Sequence, residues 1–367
     1  MSEIIFIGPT YPFKGGIAQY SSRFFRELQK RAKARMITYT GLYPRWLFPG
    51  NSEPDPSKTP EAVSEASREL SFLNPMSFFR VGGRLAGTKD SIILTWWTVA
   101  WLPHTFLFAS RIRDKSRLVL WCHNVIDHDC NPIKKWFIRK VLGQATRFVT
   151  HTEDDAARLK RWFPDAKIQV CNLPLLSMGG SSILPRHDAG KMIRLLFFGF
   201  VRPYKGLEDL LNALPAVKEK KDVKLTVAGE FWGDTKKETE QMIKQLELTE
   251  SVELLDRYIP NEELEEIFNT HDLVVLPYRE ATGSAVANMA IEYERPLVTT
   301  DVGSLPGCVF EGKNGFLAAH GDIESLSSTI LKAVDYSFDP AELHRIRESR
   351  EKEWENLINT VVMFCDE

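Results

Sequence analysis

The sequence predicts an α/β protein of two doubly wound Rossmann-like domains facing each other across a cleft. Three observations carry the prediction. At 367 residues the chain exceeds what one core ordinarily serves and suits two domains of about 150–200 residues each. Short apolar runs alternate with amphipathic segments, the pattern of βαβ units and parallel sheets. The alternation comes in two series, divided by the aperiodic Gly-, Ser- and Pro-rich stretch Leu176–Lys191.

The first series opens with a buried strand at Ile4–Ile7, because MSEIIFIG lacks the charged and apolar regions of a secretory leader. Strands follow at Arg35–Tyr39, Ile92–Thr95, Arg117–Trp121, Arg147–Thr150 and Ile168–Val170, with helices at Ile17–Arg31, Pro132–Leu142 and Asp155–Trp162. Ser91–Ser110 carries no formal charge over twenty residues, close to the length of a membrane span. Pro103, His104 and three tryptophans (Trp96, Trp97, Trp101) fit a strand, a turn and a buried helix ending near Arg111 better. Tyr43–Glu69, polar and Pro-rich, reads as a long mobile loop near an opening. Strands of the second series are expected at Arg194–Phe198, Lys224–Ala228, Val252–Leu254, Leu273–Leu276, Pro296–Thr300 and Gly315–Leu317, with helices at Leu207–Glu219 and Thr235–Leu246. One last helix, about Ala341–Phe364, is expected to cross back to the first domain. Ligands of such sheets sit at the strands' carboxyl ends.

Composition, with 43% hydrophobic and 26% charged residues, is that of a globular protein and excludes a disordered, collagen-like or coiled-coil chain. Five cysteines without a C-x-x-C pair argue against a disulfide framework or structural zinc and for a reducing, cytoplasmic setting. Residues 1–190 hold 27 basic and 16 acidic side chains, a balance of +11, whereas 191–367 hold 20 and 33, a balance of −13. A basic half of this kind suits phosphate, anionic lipid or nucleic acid, or else the two halves attract each other across the cleft. No nucleic-acid motif is present, and the acidic half would repel phosphate backbone, so a nucleic-acid partner is not expected.

The second domain opens with IRLLFFGF, then the turn Arg202-Pro203-Tyr204-Lys205-Gly206, then a helix. Gly199, Arg202 and Lys205 at a strand's carboxyl end suit a diphosphate: arginine chelates two oxygens and lysine adds a mobile charge. Val227-Ala228-Gly229-Glu230, Tyr258-Ile259-Pro260, Asp272–Tyr278, Gly283-Ser284 and Arg295–Gly303 follow in order. In the first domain, Gly15-Gly16 follows the opening strand, and LVLWCHNV (118–125) ends in His123-Asn124-Val125.

This series resembles the B-type (GT-B fold) glycosyltransferases, most closely a divergent branch of retaining family 4, and the resemblance runs from Ile4 to about Ala333. It implies an acceptor-binding domain at 1–180 completed by a C-terminal helix (345–367), and a nucleotide-sugar donor domain at 191–344. It implies transfer of a sugar from a UDP-sugar or GDP-sugar, with retention and without a protein nucleophile or metal, to a saccharide or lipid-linked acceptor. Arg202 and Lys205 would stabilise the departing diphosphate and His123 would contact the sugar. Gly15, Gly16, Gly199, Glu230, Tyr258, Ile259, Glu280, Gly283 and Ser284 would complete the donor site. The family's two glutamates, separated by seven residues, fall at Ala281 and Met289 when aligned on Pro296. The first is expected in shifted form at Glu280. Glu292 lies one turn beyond Met289, about 4–5 Å along the helix, and is the candidate substitute for the second. A nucleotide-sugar epimerase of the same architecture and a non-catalytic nucleotide-sugar-binding partner are the other open readings.

Three weaker constellations complete the sequence. His123, Asp127, His128 and Asp129 are metal-ligand types, but their spacing matches no standard site. Thr152–Asp155 reads as a capping box, with His151 beside it turned to the cleft. Basic and aromatic residues alternate in Pro132–Arg147, including Lys134, Lys135, Trp136, Phe137, Arg139 and Lys140. That stretch suits peripheral contact of 132–147 with an anionic membrane face, or an ordinary surface helix.

Overall fold

The computed structural model describes residues 3–44, 54–57, 63, 65–126, 130–176, 192–281 and 283–366. In it the two series of apolar runs form two parallel sheets. The first contains β1 (Ile4–Ile7), β2 (Ala34–Gly41), β3 (Ser67–Ser71), β4 (Ser91–Trp96), β5 (Leu118–Cys122), β6 (Arg147–Thr150) and β7 (Lys167–Val170), in the order β3-β2-β1-β4-β5-β6-β7. Its helices are α1 (Gly16–Gln29), α2 (Met76–Arg84), α3 (Leu102–Ala109), α4 (Pro132–Leu142) and α5 (Glu153–Trp162). The second contains β8 (Ile193–Phe198), β9 (Val223–Ala228), β10 (Val252–Leu255), β11 (Leu273–Leu276), β12 (Leu297–Thr300) and β13 (Gly315–Ala318), in the order β10-β9-β8-β11-β12-β13. Its helices are α6 (Leu207–Lys218), α7 (Thr235–Gln245), α8 (Asn261–Asn269), α9 (Ala285–Glu292) and α10 (Ile323–Asp335), followed by α11 (Pro340–Glu351) and α12 (Glu353–Asp366). Most strands are near-continuous Ile, Leu, Val and Phe because helices cover both faces of a parallel sheet.

Ser91–Ser110 forms β4 and α3 rather than a span, and no helix among the described residues is long and apolar enough to cross a membrane. Thr152 caps α5 by accepting from the Asp155 amide. The strand β3 (SRELS) has no sequence signal: it is a polar edge strand paired only with β2 and half exposed. Residues 54–57, expected within a mobile loop, are pinned instead. Pro54 bridges to Phe13, the Asp55 amide donates to the Pro12 carbonyl at 2.6 Å, and the side chains of Asp55 and Ser57 are buried. The dividing stretch 177–191 lies outside the described residues, as do Asp127, His128 and Asp129 of the metal reading.

The expected single C-terminal helix is two, joined at Lys352. Leu343 of α11 packs into the second domain's core, whereas α12 turns onto the first domain. There the Trp354 indole donates to the Leu175 carbonyl at 2.6 Å, Ser91 Oγ donates to the Cys365 carbonyl at 2.9 Å, and Arg147 donates to the Phe364 carbonyl. Two anchoring surfaces with different orientations account for the break.

Strand order reverses between β1 and β4 and again between β8 and β11. Chain connections diverge at such points and leave a crevice at the carboxyl ends. The two crevices face each other.

Candidate active site

A cavity of about 310 Å³ occupies this position and is lined from both domains. On the first-domain wall, α1 begins with Gly15 and Gly16, and His123 and His151 follow β5 and β6. Gly15, at φ +96°, is the N-cap of α1 and has no side chain to fold over its free amides. A Cβ on Gly16 would lie 3.4 Å from Ala285 of the opposite domain, so α1 and α9 approach each other at their N-termini. The chain enters α9 through Gly283 and Ser284, both on the wall, and Ser284 Oγ accepts from the Ala287 amide at 3.1 Å. Two helix N-termini thus direct their positive ends into one cavity.

Lys205 lies at the end of the turn after β8, 8% exposed. Among the described residues no carboxylate or hydrogen-bond acceptor pairs with its ammonium. Burial, reinforced by Arg202, pushes its pKa down to about 7. Gly199, also on the wall, is what leaves room for it: a Cβ there would sit 3.0 Å from Lys205 Nζ. Arg202, expected to share the diphosphate, is not on the wall. Its guanidinium lies 3.5 Å from the Trp232 ring centroid with Nε buried and unpartnered, held back by stacking.

Glu230 faces the cavity and is tied to Lys14 of the first domain, Nζ to Oε1, at 2.7 Å, while its Oε2 is buried without a partner among the described residues. Tyr258 donates to Asp55 Oδ2 at 2.9 Å. Gln19 Nε2 donates to Asn261 Oδ1 at 3.1 Å, and the Asn261 amide donates to Ser57 Oγ at 3.0 Å. These bonds join the first domain to the loop and helix that follow β10, and Ile259 lines the wall between them. Burial and the Asp55 carboxylate push the Tyr258 hydroxyl well above its ordinary value.

Glu280 is exposed and off the cavity, because the chain turns outward after β11 and returns to the wall at Ala281. Met289, where the sequence resemblance leads one to expect a carboxylate, lines the wall. The candidate substitute Glu292 is buried on α9 but off the cavity. Among the described residues, Glu230 is therefore the one carboxylate on the wall.

His123 is buried with Nε2 unpartnered, and its Nδ1 lies 3.2 Å from His151 Nε2. Burial, then the neighbouring His151, holds His123 well below the ordinary imidazole range, and burial pushes His151 down to about 4. Both rings are neutral near pH 7. Reading the sequence alone does not single out Lys14, Gln19, Asn261, Asp55 or Ser57. Lys14 has a usable signal, standing next to Gly15-Gly16 in a strand-to-helix turn. Asp55 and Ser57 have none.

Comparison with known proteins agrees with this architecture. Residues 193–335 match the family model "Glycosyl transferases group 1". An uncharacterized glycosyltransferase of Methanocaldococcus jannaschii is 31% identical over 128 residues, 35% of this chain and 32% of the relative. D-inositol 3-phosphate glycosyltransferase of Pseudarthrobacter chlorophenolicus is 29% identical over 190 residues, 48% of this chain and 45% of the relative. The matched part thus spans less than half the length of either. Among solved structures, sucrose-phosphate synthase from Thermosynechococcus elongatus superposes with a TM-score of 0.69 at 15% identity, covering 100% of this chain and 97% of that one. The fold is that of the B-type glycosyltransferases, and the second domain carries the group 1 sequence.

Proposed function

We propose that this protein is a glycosyltransferase moving a sugar from a nucleotide diphosphate sugar to an acceptor held on the first domain. The observation that carries the reading is the buried Lys205, without a counter-ion among the described residues, on the wall of the same cavity as the N-termini of α1 and α9, at the switch points of both sheets. A buried ammonium without a counter-ion is costly, and a diphosphate supplies one. In transfer, the C1–O bond to the diphosphate breaks and a C1–O bond to the acceptor forms on the same face. The acceptor proton leaves with the departing phosphate. Lys205 and the helix N-termini stabilise the charge that builds on the leaving group. Glu230 is engaged by Lys14, which argues against double displacement through a covalent sugar on Glu230; front-face attack is the retaining route that needs no protein nucleophile.

Arg202 would reach the outer phosphate oxygens by leaving Trp232. The acceptor is a saccharide or lipid-linked sugar, and α4 supports the lipid-linked case. Ile133, Trp136 and Phe137 are exposed at 68%, 55% and 50%, interleaved with Lys134, Lys135 and Lys140, a surface suited to an anionic membrane. Met289, in place of a carboxylate, favours a second reading, a nucleotide-sugar-binding partner without turnover.

Thermal unfolding with UDP, GDP, ADP and their sugars tests the donor site. A ligand at ~100 times its Kd adds about 2.7 kcal/mol, and the resulting shift is expected for one base and absent in Lys205→Ala. No shift with any nucleotide overturns the proposal. Binding without turnover across saccharide and lipid-linked acceptors selects the second reading.

A further inference from the structure

The two histidines of the first-domain wall form a chain whose proton positions follow from their fixed neighbours. His151 Nδ1 lies 2.8 Å from the Cys171 carbonyl oxygen, and His151 Nε2 lies 3.1 Å from Trp121 Nε1. A carbonyl only accepts and an indole N–H only donates. His151 must therefore carry its proton on Nδ1 and present a lone pair at Nε2. His123 Nδ1 faces the same nitrogen at 3.2 Å; a bare Nδ1 there would set two lone pairs against each other, so His123 Nδ1 carries the proton and shares that acceptor with the Trp121 N–H. The remaining nitrogen, His123 Nε2, is then a bare acceptor, buried and without a partner among the described residues. Both rings line the cavity.

We propose that His151 is a positioning residue that locks His123 in its Nδ1–H tautomer, so that His123 Nε2 accepts a hydrogen bond from a hydroxyl of the bound sugar. The inference rests on the glycosyltransferase reading for the identity of the ligand, but the lock itself is a property of the ligand-free protein. Burial holds both rings neutral, in keeping with it. The opposite tautomer of His123 would set two lone pairs against each other at Nδ1 and turn an N–H toward the cavity. The wall would then select a sugar oxygen lacking a hydrogen as readily as a hydroxyl. With the lock in place, an acceptor-only substituent meets a buried acceptor and neither group is satisfied.

Long-range ¹H–¹⁵N spectroscopy of histidine-labelled, ligand-free protein tests the lock, with signals assigned through His123→Gln and His151→Leu. For His123, a pyrrole-type Nδ1 and a pyridine-type Nε2 are expected, and a mixture of tautomers in His151→Leu. A protonated Nε2 in the wild-type protein overturns the proposal, whatever the variants do. Recognition is tested by binding of UDP-glucose, GDP-mannose and ADP-glucose beside analogues carrying fluorine in place of one hydroxyl at each ring position. For a sugar that binds, one position should lose about tenfold or more in affinity. That loss should fall to under about threefold in His151→Leu and be largely restored in His151→Gln, whose amide oxygen again accepts from His123. Uniform tolerance of fluorine by a sugar that binds overturns the recognition step. Failure of all three nucleotide sugars to bind counts against the glycosyltransferase reading, while the spectra still decide whether the lock exists.

Discussion

The two walls of the cavity rest on the same architecture, a parallel sheet with a strand-order reversal, but they carry opposite kinds of polarity. The first-domain wall is neutral and held in place internally, with one nitrogen left over: His151 is held by Trp121 and Cys171, and His123 by His151, while His123 Nε2 stays bare. The second-domain wall carries charge. Its cation, Lys205, lies over the Tyr278 ring and has no counter-ion among the described residues, and its carboxylate, Glu230, takes one from the other domain. A buried charge without a partner marks where the charged part of a ligand docks. A prearranged neutral acceptor marks where an uncharged, hydroxylated part lies. Under the proposed transferase reading, the comparison orients the donor with diphosphate against the second domain and sugar against the first.

The largest test attacks the exception, the charge that crosses between the walls. Lys14→Met leaves Glu230 buried and unpaired, and should cost about 3–5 kcal/mol in thermal unfolding. Lys14→Met combined with Glu230→Leu should recover most of that loss. If the double variant is no better than Lys14→Met, Lys14 acts through something other than Glu230. Next is the asymmetry within the second wall. Lys205→Met should lower the proposed transfer about 100-fold or more, whereas Arg202→Met, off the wall, should lower it about tenfold. Equal losses, read as kcat/KM, would erase the distinction drawn from the Trp232 stack.

A smaller and more diagnostic effect is the pH dependence of diphosphate affinity. Burial and Arg202 push the Lys205 pKa down to about 7 in the free protein, and a bound diphosphate raises it because it favours the charged form. Above pH 7 binding must therefore take up a proton, and affinity should fall as pH rises, by at most about tenfold per unit. Titration calorimetry at pH 6, 7 and 8 in buffers of different ionisation enthalpy measures both the affinity and the proton. A flat profile would mean that Lys205 is already charged in the empty cavity.

Much of the fold was legible because buried parallel strands are nearly continuous apolar runs: Ile4–Ile7, Arg147–Thr150 and Leu273–Leu276 are strands from end to end. α4 likewise spans Pro132–Leu142, opened by Asn131, whose side chain accepts from the Lys134 amide. The polar edge strand β3 was not legible, since it needs only one neighbour and no buried face. The break at Lys352 was not either, because it comes from α11 and α12 gripping different domains.

The site divides in the same way. Gly15, Gly16, Gly199, Lys205 and Ser284 could be read from the sequence, because strand-to-helix turns place their residues by local geometry alone. Glu280 and Arg202 were placed on the cavity by the same logic and lie off it, since their orientation is decided by an outward turn and by Trp232. The pairs that give the cavity its character join residues 216 apart (Lys14 and Glu230), 203 apart (Asp55 and Tyr258) and 28 apart (His123 and His151). Local chemistry in the sequence determined where a cation and a helix N-terminus would stand. Only the tertiary structure decided which charge is left without a counter-ion among the described residues and which imidazole nitrogen is left bare, because both depend on what the folded chain brings within about 3 Å.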